Sequence, residues 1–246
     1  YRSLVGIVVL WSLLTLTGQW QGVSRRSLGW HAARNAAHFT GQTLWFYAVT
    51  VIPLAQVFAL EFTSPIWVVL LSPLILGERL TALRLGSVLL GFIGILIVAR
   101  PSPETISPGI VAAASSAIFF ALTVMFTRRL TRTETVVCIM FWLTLMQAAL
   151  GLVFSLWDGQ MTWPTAGTAP WLILIGCAGL LAHFCMTNAL AIAPATVVVP
   201  IDFVRLPTIA VVGMLVYGEA LDVWVFVGAL VIFGANYINI WRANRP

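Results

Sequence analysis

The sequence predicts an all-α integral membrane protein, an inverted-topology repeat helix bundle with nine spans visible of an expected ten (5+5, the first helix absent). Composition is the first reason: 60% of residues are hydrophobic and only 9% charged, where a soluble domain carries roughly a quarter charged residues. So little charge cannot keep a surface in water, and the solvent is lipid. Unbroken apolar runs are the second reason, and a pair of matching stretches with opposite flanking charge is the third.

A hydrocarbon core about 30 Å thick requires roughly 20 mostly apolar residues per helical span. Segments 3–19, 31–50, 54–76, 82–99, 108–127, 135–156, 169–190, 195–217 and 222–241 meet that requirement, the first being short. Runs such as Gly86 to Ala99 are apolar on every side. A membrane β-barrel, whose strands alternate apolar and polar residues, is thereby excluded.

Basic residues then orient the spans, because arginine and lysine accumulate on the cytoplasmic side. Arg25, Arg26 and Arg34 fall between spans one and two, Arg79 and Arg84 between three and four, and Arg128, Arg129 and Arg132 between five and six. Arg242 and Arg245 follow the last span. The other face receives Arg2 and Arg100 together with Glu104, Asp158, Glu219 and Asp222. The C-terminus is therefore expected in the cytoplasm, and the protein in a bacterial inner membrane as a multi-pass chain.

IPLAQVFALEFTSPIWVVLLSPLILGERL (Ile52 to Leu80) aligns with APATVVVPIDFVRLPTIAVVGMLVYGEAL (Ala193 to Leu221) at constant offset. Pro53 meets Pro194, Glu61-Phe62 meets Asp202-Phe203, and Gly77-Glu78 meets Gly218-Glu219, while Pro65 and Pro207 miss by one position. The copies lie in spans three and eight, an odd separation, so they enter the bilayer from opposite sides. This is an inverted repeat, an architecture of many secondary transporters. Residues 1–100 form the first repeat, with four of five helices, and 108–242 the second, so one N-terminal helix is expected to be missing from this chain.

Charges deep in a span cost roughly 2.5–3.5 kcal/mol on insertion scales and mark functional candidates. Glu61 stands about 12 Å into its helix at 1.5 Å per residue, and Asp202 matches it from the other side. Arg205 shares a helix face with Asp202, so it either forms a local ion pair or offers a cation to an anionic solute group. Glu61 has no partner in its own helix; it is protonated, paired with Arg205, or paired with a cationic solute. Protonation would suit it to carry a coupling proton. Pro65 removes the hydrogen bond to the Glu61 carbonyl, which predicts a kink there; Pro207 does the same beside Arg205, and both are candidate gating residues.

Gln42 and His183 occupy equivalent repeat positions, as do Tyr47 and Asn188, and these four are candidate cavity-lining, substrate-binding residues. Each could equally bond only between helices. Trp45, Trp67, Trp142 and Trp171 read as interfacial or packing residues. Gly86, Gly91, Gly94, Gly228 and Gly234 read as close-packing positions. Glu78 and Glu219 read as helix-terminal caps or interface residues. No metal site is expected: His31 and His38 share a face, yet no third ligand stands near them in the sequence. Cys138, Cys177 and Cys185 read as small buried hydrophobes, not a disulfide framework. All thirteen basic side chains are arginine, the formal charge is +5, and with no lysine there is no Schiff-base cofactor. No cofactor and no nucleic-acid partner is expected; oligomeric state is not legible.

SPIWVVLLSPLILGERLTALRLGSVLLGFIGILIVARP and IDFVRLPTIAVVGMLVYGEALDVWVFVGALVIFGANY resemble the ends of the two repeats in EamA-type members of the drug/metabolite transporter superfamily. That resemblance implies ten helices in two inverted repeats, both termini cytoplasmic, and movement of small organic solutes. The reading is a secondary-active carrier of a small polar metabolite, amino-acid-like and zwitterionic or anionic, by alternating access around a midplane site. A lipid-linked flippase or a non-transporting membrane scaffold is the alternative. An enzyme is not expected, since no intramembrane protease motif is present.

Overall fold

A computed structural model describes residues 1–52, 54–77, 81–99, 107–157, 163–201, 205–217, 223–224, 226–228, 230–231, 234 and 237. Among them it is helical throughout, with no strand. In chain order the helices are α1 (Arg2–Thr17), a 3-10 turn (Gln19–Gly22), α2 (Leu28–Val51), α3 (Leu54–Glu61), α4 (Ser64–Ile75), α5 (Ala82–Ala99), α6 (Pro108–Leu130), α7 (Val136–Trp157), α8 (Ala169–Ile192), α9 (Ala195–Ile201) and α10 (Arg205–Tyr217). Three of these, α6, α7 and α8, are by length and composition able to cross a membrane, and α1 and α4 are shorter apolar helices. The predicted span 222–241 lies largely outside the described residues, as do Glu78, Arg79, Arg100, Glu104, Asp158, Glu219, Asp222, Arg242 and Arg245.

The helices gather into two compact units, one of Tyr1–Phe39 with Phe126–Ile192, the other of Thr40–Met125 with Ala193–Pro246. Each takes chain from both sides of the 101–107 connection.

In the first unit α1 packs on α7 and α8. Leu10 and Leu14 of α1 bury against Met140 and Leu143 of α7. Glycines let the backbones approach: a Cβ on Gly6 would stand 2.9 Å from Thr144 Cγ2, and one on Gly176 only 2.8 Å from Val5 Cβ. Small residues at helix contacts are how apolar helices associate where burial from water gives no drive. Helix α1 ends at Gly18, left-handed at φ 66, whose N–H bonds the Leu14 carbonyl, a helix stop that glycine adopts without strain. Arg128 donates to the carbonyls of Leu190 and Ala191, placing a cation on the negative C-terminal end of α8.

In the second unit α3 and α4 pack on α5, α4 on α9, and α3 on α10. Ala48, Val57, Ala112 and Ala113 form a tight small-residue core. Where the sequence suggests a kinked span at 54–76, the chain leaves the helix altogether. Phe62 still bonds back to Phe58, Thr63 makes a shorter turn to Leu60, and a new helix starts at Ser64. Pro65 therefore sits in the first turn of α4, where its missing N–H is no loss; it opens a helix and does not bend one. Proline lies inside a helix one stretch later, at Pro73. The carbonyl it strands, that of Val69, is taken by the Ser72 hydroxyl at 3.1 Å. Gly77, φ 67, explains the glycine of the first Gly-Glu pair, since it adopts the left-handed form just after α4.

Other sequence readings are corrected. Among the described residues nothing comes within 4 Å of a Cβ built on Gly86, Gly91 or Gly234, whereas Gly6, Gly41, Gly109 and Gly176 meet close neighbours. Cys138 is buried, but Cys177 and Cys185 are exposed, which in this protein means facing lipid or solvent. Arg34 is not in a connection: it lies within α2 and is 1% exposed.

Replacing Gly176 by valine should destabilise the folded protein by about 1–3 kcal/mol, the usual range for overpacking, because Val5 and the Arg2 carbonyl cannot both retreat. Gly91→Ala should be neutral or slightly stabilising. Thermal unfolding in detergent of the two variants side by side checks both statements, and an equal effect would contradict the packing described.

Candidate functional site

A charged contact joins two helices of the second unit. Glu61 is the last residue of α3, and Arg205 lies on α10. Their side chains pair, Arg205 Nη2 lying 2.8 Å from Glu61 Oε1. The other carboxylate oxygen, Oε2, accepts from the indole N–H of Trp45 on α2 at 2.7 Å. Both oxygens of Glu61 are thus held, each by a different helix. The Arg205 guanidinium also lies 5.5 Å from the centre of the Phe62 ring, within cation–π reach. Phe58 packs edge-on to Trp45, 5.7 Å between ring centres. The carboxylate is 14% exposed and the guanidinium 46%, so the acid is sheltered and the cation opens outward.

Of the readings open from sequence for Glu61, pairing with Arg205 is the one the geometry realises. Asp202 lies outside the described residues, and so does the side chain of Pro207.

A second polar cluster occupies the first unit. Arg34, buried within α2, donates from Nε to Thr127 Oγ1 at 2.8 Å and from Nη1 to Asn35 Oδ1 at 3.3 Å. Gln147 on α7 donates to the Asn35 carbonyl at 2.8 Å and to Asn35 Oδ1 at 3.3 Å. Asn35 in turn gives its amide to the His31 carbonyl at 2.8 Å. Nearby on the same helix, His38 meets the predicted residue His183 edge to face, 4.7 Å between ring centres. His183 lines a small cavity with Arg2, Gly6, Thr144, Gln147 and Gly179.

The remaining predicted residues are less engaged. Asn188 gives its amide to the Phe184 carbonyl of its own helix at 2.8 Å. Tyr47 is 47% exposed, and Gln42 is half-buried on α2. Trp45, Arg34, Asn35 and Gln147 were not singled out from sequence. Asn35 and Gln147 are polar residues inside predicted spans, the same signal that picks out Gln42 and His183. Arg34 carries that signal too, but the positive-inside pattern assigns it to a connection. Nothing in the sequence separates Trp45 from its fellow tryptophans.

Comparison with known proteins bears on what this geometry is for. The sequence pattern of the EamA-like transporter family matches residues 1–100 and 107–241. The chain is similar to a riboflavin transporter of Brucella anthropi, 32% identical over 241 residues, which span 96% of this chain and 84% of that protein. It is similar to a riboflavin transporter of Vibrio cholerae at 28% identity, covering 98% and 81% of the two chains. An S-adenosylmethionine uptake transporter of Rickettsia felis matches at 25% identity, covering 87% and 72%. A solved crystal structure superposes with a TM-score of 0.75 over 99% of this chain and 85% of its own, at 19% identity, which is a likeness of fold alone.

If the Glu61–Arg205 contact is energetically real, single changes Glu61→Gln and Arg205→Gln should each lower thermal stability, and the double change should cost less than their sum. The coupling should fall within about 0.5–3 kcal/mol, the range for contacting residues. Strict additivity in such a cycle would mean the two side chains do not interact.

Proposed function

The chain belongs to the EamA-like transporter family, a multi-pass membrane transporter of small metabolites and not an enzyme, and from that premise we propose a secondary-active carrier of a small polar metabolite. The solute bears an amino-acid-like or anionic group, and transport proceeds by alternating access between two inverted five-helix repeats, residues 1–100 and 108–242, with the C-terminus cytoplasmic. The observation that carries the reading is Glu61, a carboxylate at a helix break whose two oxygens are held by Arg205 and Trp45. Discontinuous helices with charged groups at their ends are how carriers of this architecture present a mid-membrane site.

The chemistry follows from exchange of partners. A solute carboxylate reaching Arg205 competes with Glu61 for the same guanidinium, which opens outward. Glu61, released, either takes a coupling proton or accepts from an ammonium of a zwitterionic solute. Asp202 orients Arg205, and Gln42, Tyr47, His183 and Asn188 line the route. The turn at Phe62 and Thr63, with Pro65 just after it, gives α3 and α4 independent movement, and Pro207 plays the corresponding part in α10. Riboflavin and S-adenosylmethionine, the solutes named for the relatives, both carry a flat heterocycle with a polar tail, and the second ends in an amino-acid group. Trp45, Phe58 and Phe62 offer ring faces beside the charged pair to receive such a heterocycle.

Purified protein should be stabilised by one member of a panel of riboflavin, S-adenosylmethionine, amino acids, carboxylates and nucleosides. A ligand at about a hundred times its Kd adds roughly 2.7 kcal/mol, a readily measured shift. The same solute should be taken up saturably into vesicles, with uptake lost in Arg205→Gln and its dependence on a pH gradient lost in Glu61→Gln. Silence across the panel, or uptake untouched by both substitutions, would remove the carrier reading or this site from it.

A further inference from the structure

We propose that His31, Glu134 and Cys138 form a binding site for a borderline divalent transition-metal ion, with Zn²⁺ as the reference cation. The three come from separate pieces of the first unit: the first turns of α2, the α6–α7 turn, and the first turn of α7. One ligand-type atom from each converges so that all lie within 4.8 Å of one another. His31 Nε2 stands 3.9 Å from Cys138 Sγ. In a tetrahedral zinc site, bonds of about 2.0–2.3 Å put neighbouring ligand atoms roughly 3.5 Å apart. The His–Cys pair is near that value, and the carboxylate lies within 4.8 Å of both.

Two further observations point to a ligand. His31 and Cys138 are both fully buried at 0% exposure. At the cluster, Glu134 Oε1 is buried and has no hydrogen-bond partner among the described residues, while the His31 nitrogen that faces Cys138 is Nε2. Buried polar atoms left without partners are costly and rare.

The surrounding chain fixes the cluster firmly. Thr135 caps α7, its hydroxyl accepting from the Cys138 N–H at 3.1 Å. The Ser24 N–H donates to Cys138 Sγ at 3.3 Å. The Trp142 indole holds the Ser24 carbonyl at 2.8 Å, and Glu134 N–H bonds the Leu130 carbonyl at 2.8 Å. Nitrogen, sulfur and oxygen donors together suit zinc and its neighbours better than magnesium or calcium. A neutral imidazole, a carboxylate and a thiolate neutralise a dication, which matters because Arg34 lies one turn further along α2. On binding, the thiol proton passes to bulk water as the metal–sulfur bond forms. Three protein ligands leave a fourth position for water.

Co²⁺ serves as the visible probe for this site. The full chain in detergent, stripped with a chelator and desalted, should bind one equivalent. Binding should show a thiolate-to-metal charge-transfer band and the visible bands of tetrahedral cobalt, both displaced by Zn²⁺. Cys138→Ser should abolish the charge-transfer band, whereas changing Cys177 and Cys185 together to serine should leave it. Glu134→Gln keeps the thiol and should weaken the titration by at least on the order of tenfold, in line with the sensitivity of metal sites to altered ligation. No charge-transfer band in the parent protein overturns the proposal. So does a band that survives both Cys138→Ser and Glu134→Gln.

Discussion

A charge inside an apolar helix has to be answered by the protein itself, because the bilayer core offers no water to do so. In the second unit the answer is the contact between Glu61 and Arg205, and local structure there is organised around it. The helix stops at the acid and restarts after a two-residue turn. Arg205 of α10 meets that carboxylate in a charge-assisted hydrogen bond, the stronger kind. Trp45 completes it by taking the second oxygen from a third helix.

The first unit solves the same problem without an acid. Arg34 is 1% exposed, and it donates to a threonine hydroxyl and an asparagine oxygen. Gln147 and the His31 carbonyl tie that asparagine in turn, so the guanidinium is held by a chain of neutral dipoles. Such a network spreads the charge over several groups, and its members polarise one another in a low dielectric. Arg128, by contrast, meets the bare carbonyls at the end of α8, and Arg129 lies 4.1 Å over the Trp30 ring. Three arginines thus find three kinds of neutral partner: side-chain amides and hydroxyls, helix-end carbonyls, and an aromatic face.

Long apolar runs made the helices legible from sequence, and a lone carboxylate in such a run made Glu61 legible. Its partner was one of three alternatives, because sequence does not say which helices touch. The break after Glu61 was read as a kink, since proline alone does not reveal whether a helix bends or restarts. Arg34 was misplaced by a rule that counts arginines near span ends without seeing burial. Close backbone approach falls at Gly6, Gly41, Gly109 and Gly176, which glycine spacing did not single out, because spacing shows a face but not what covers it. The His31, Glu134 and Cys138 cluster joins positions more than a hundred residues apart, and no local spacing announces it.

An ion pair with a half-exposed member is weak evidence of stability, because its Coulomb energy is small, whereas removing the base would leave a sheltered carboxylate uncompensated. Stability alone therefore does not account for Glu61 and Arg205. The pair also holds a sheltered acid against a base that opens outward, at the one point where the helix is already interrupted. In the proposed carrier that asymmetry would make Arg205 the member a solute reaches and Glu61 the member left to find a new partner. A bond replaceable by a solute of matching charge would then tie movement of the helix break to occupancy.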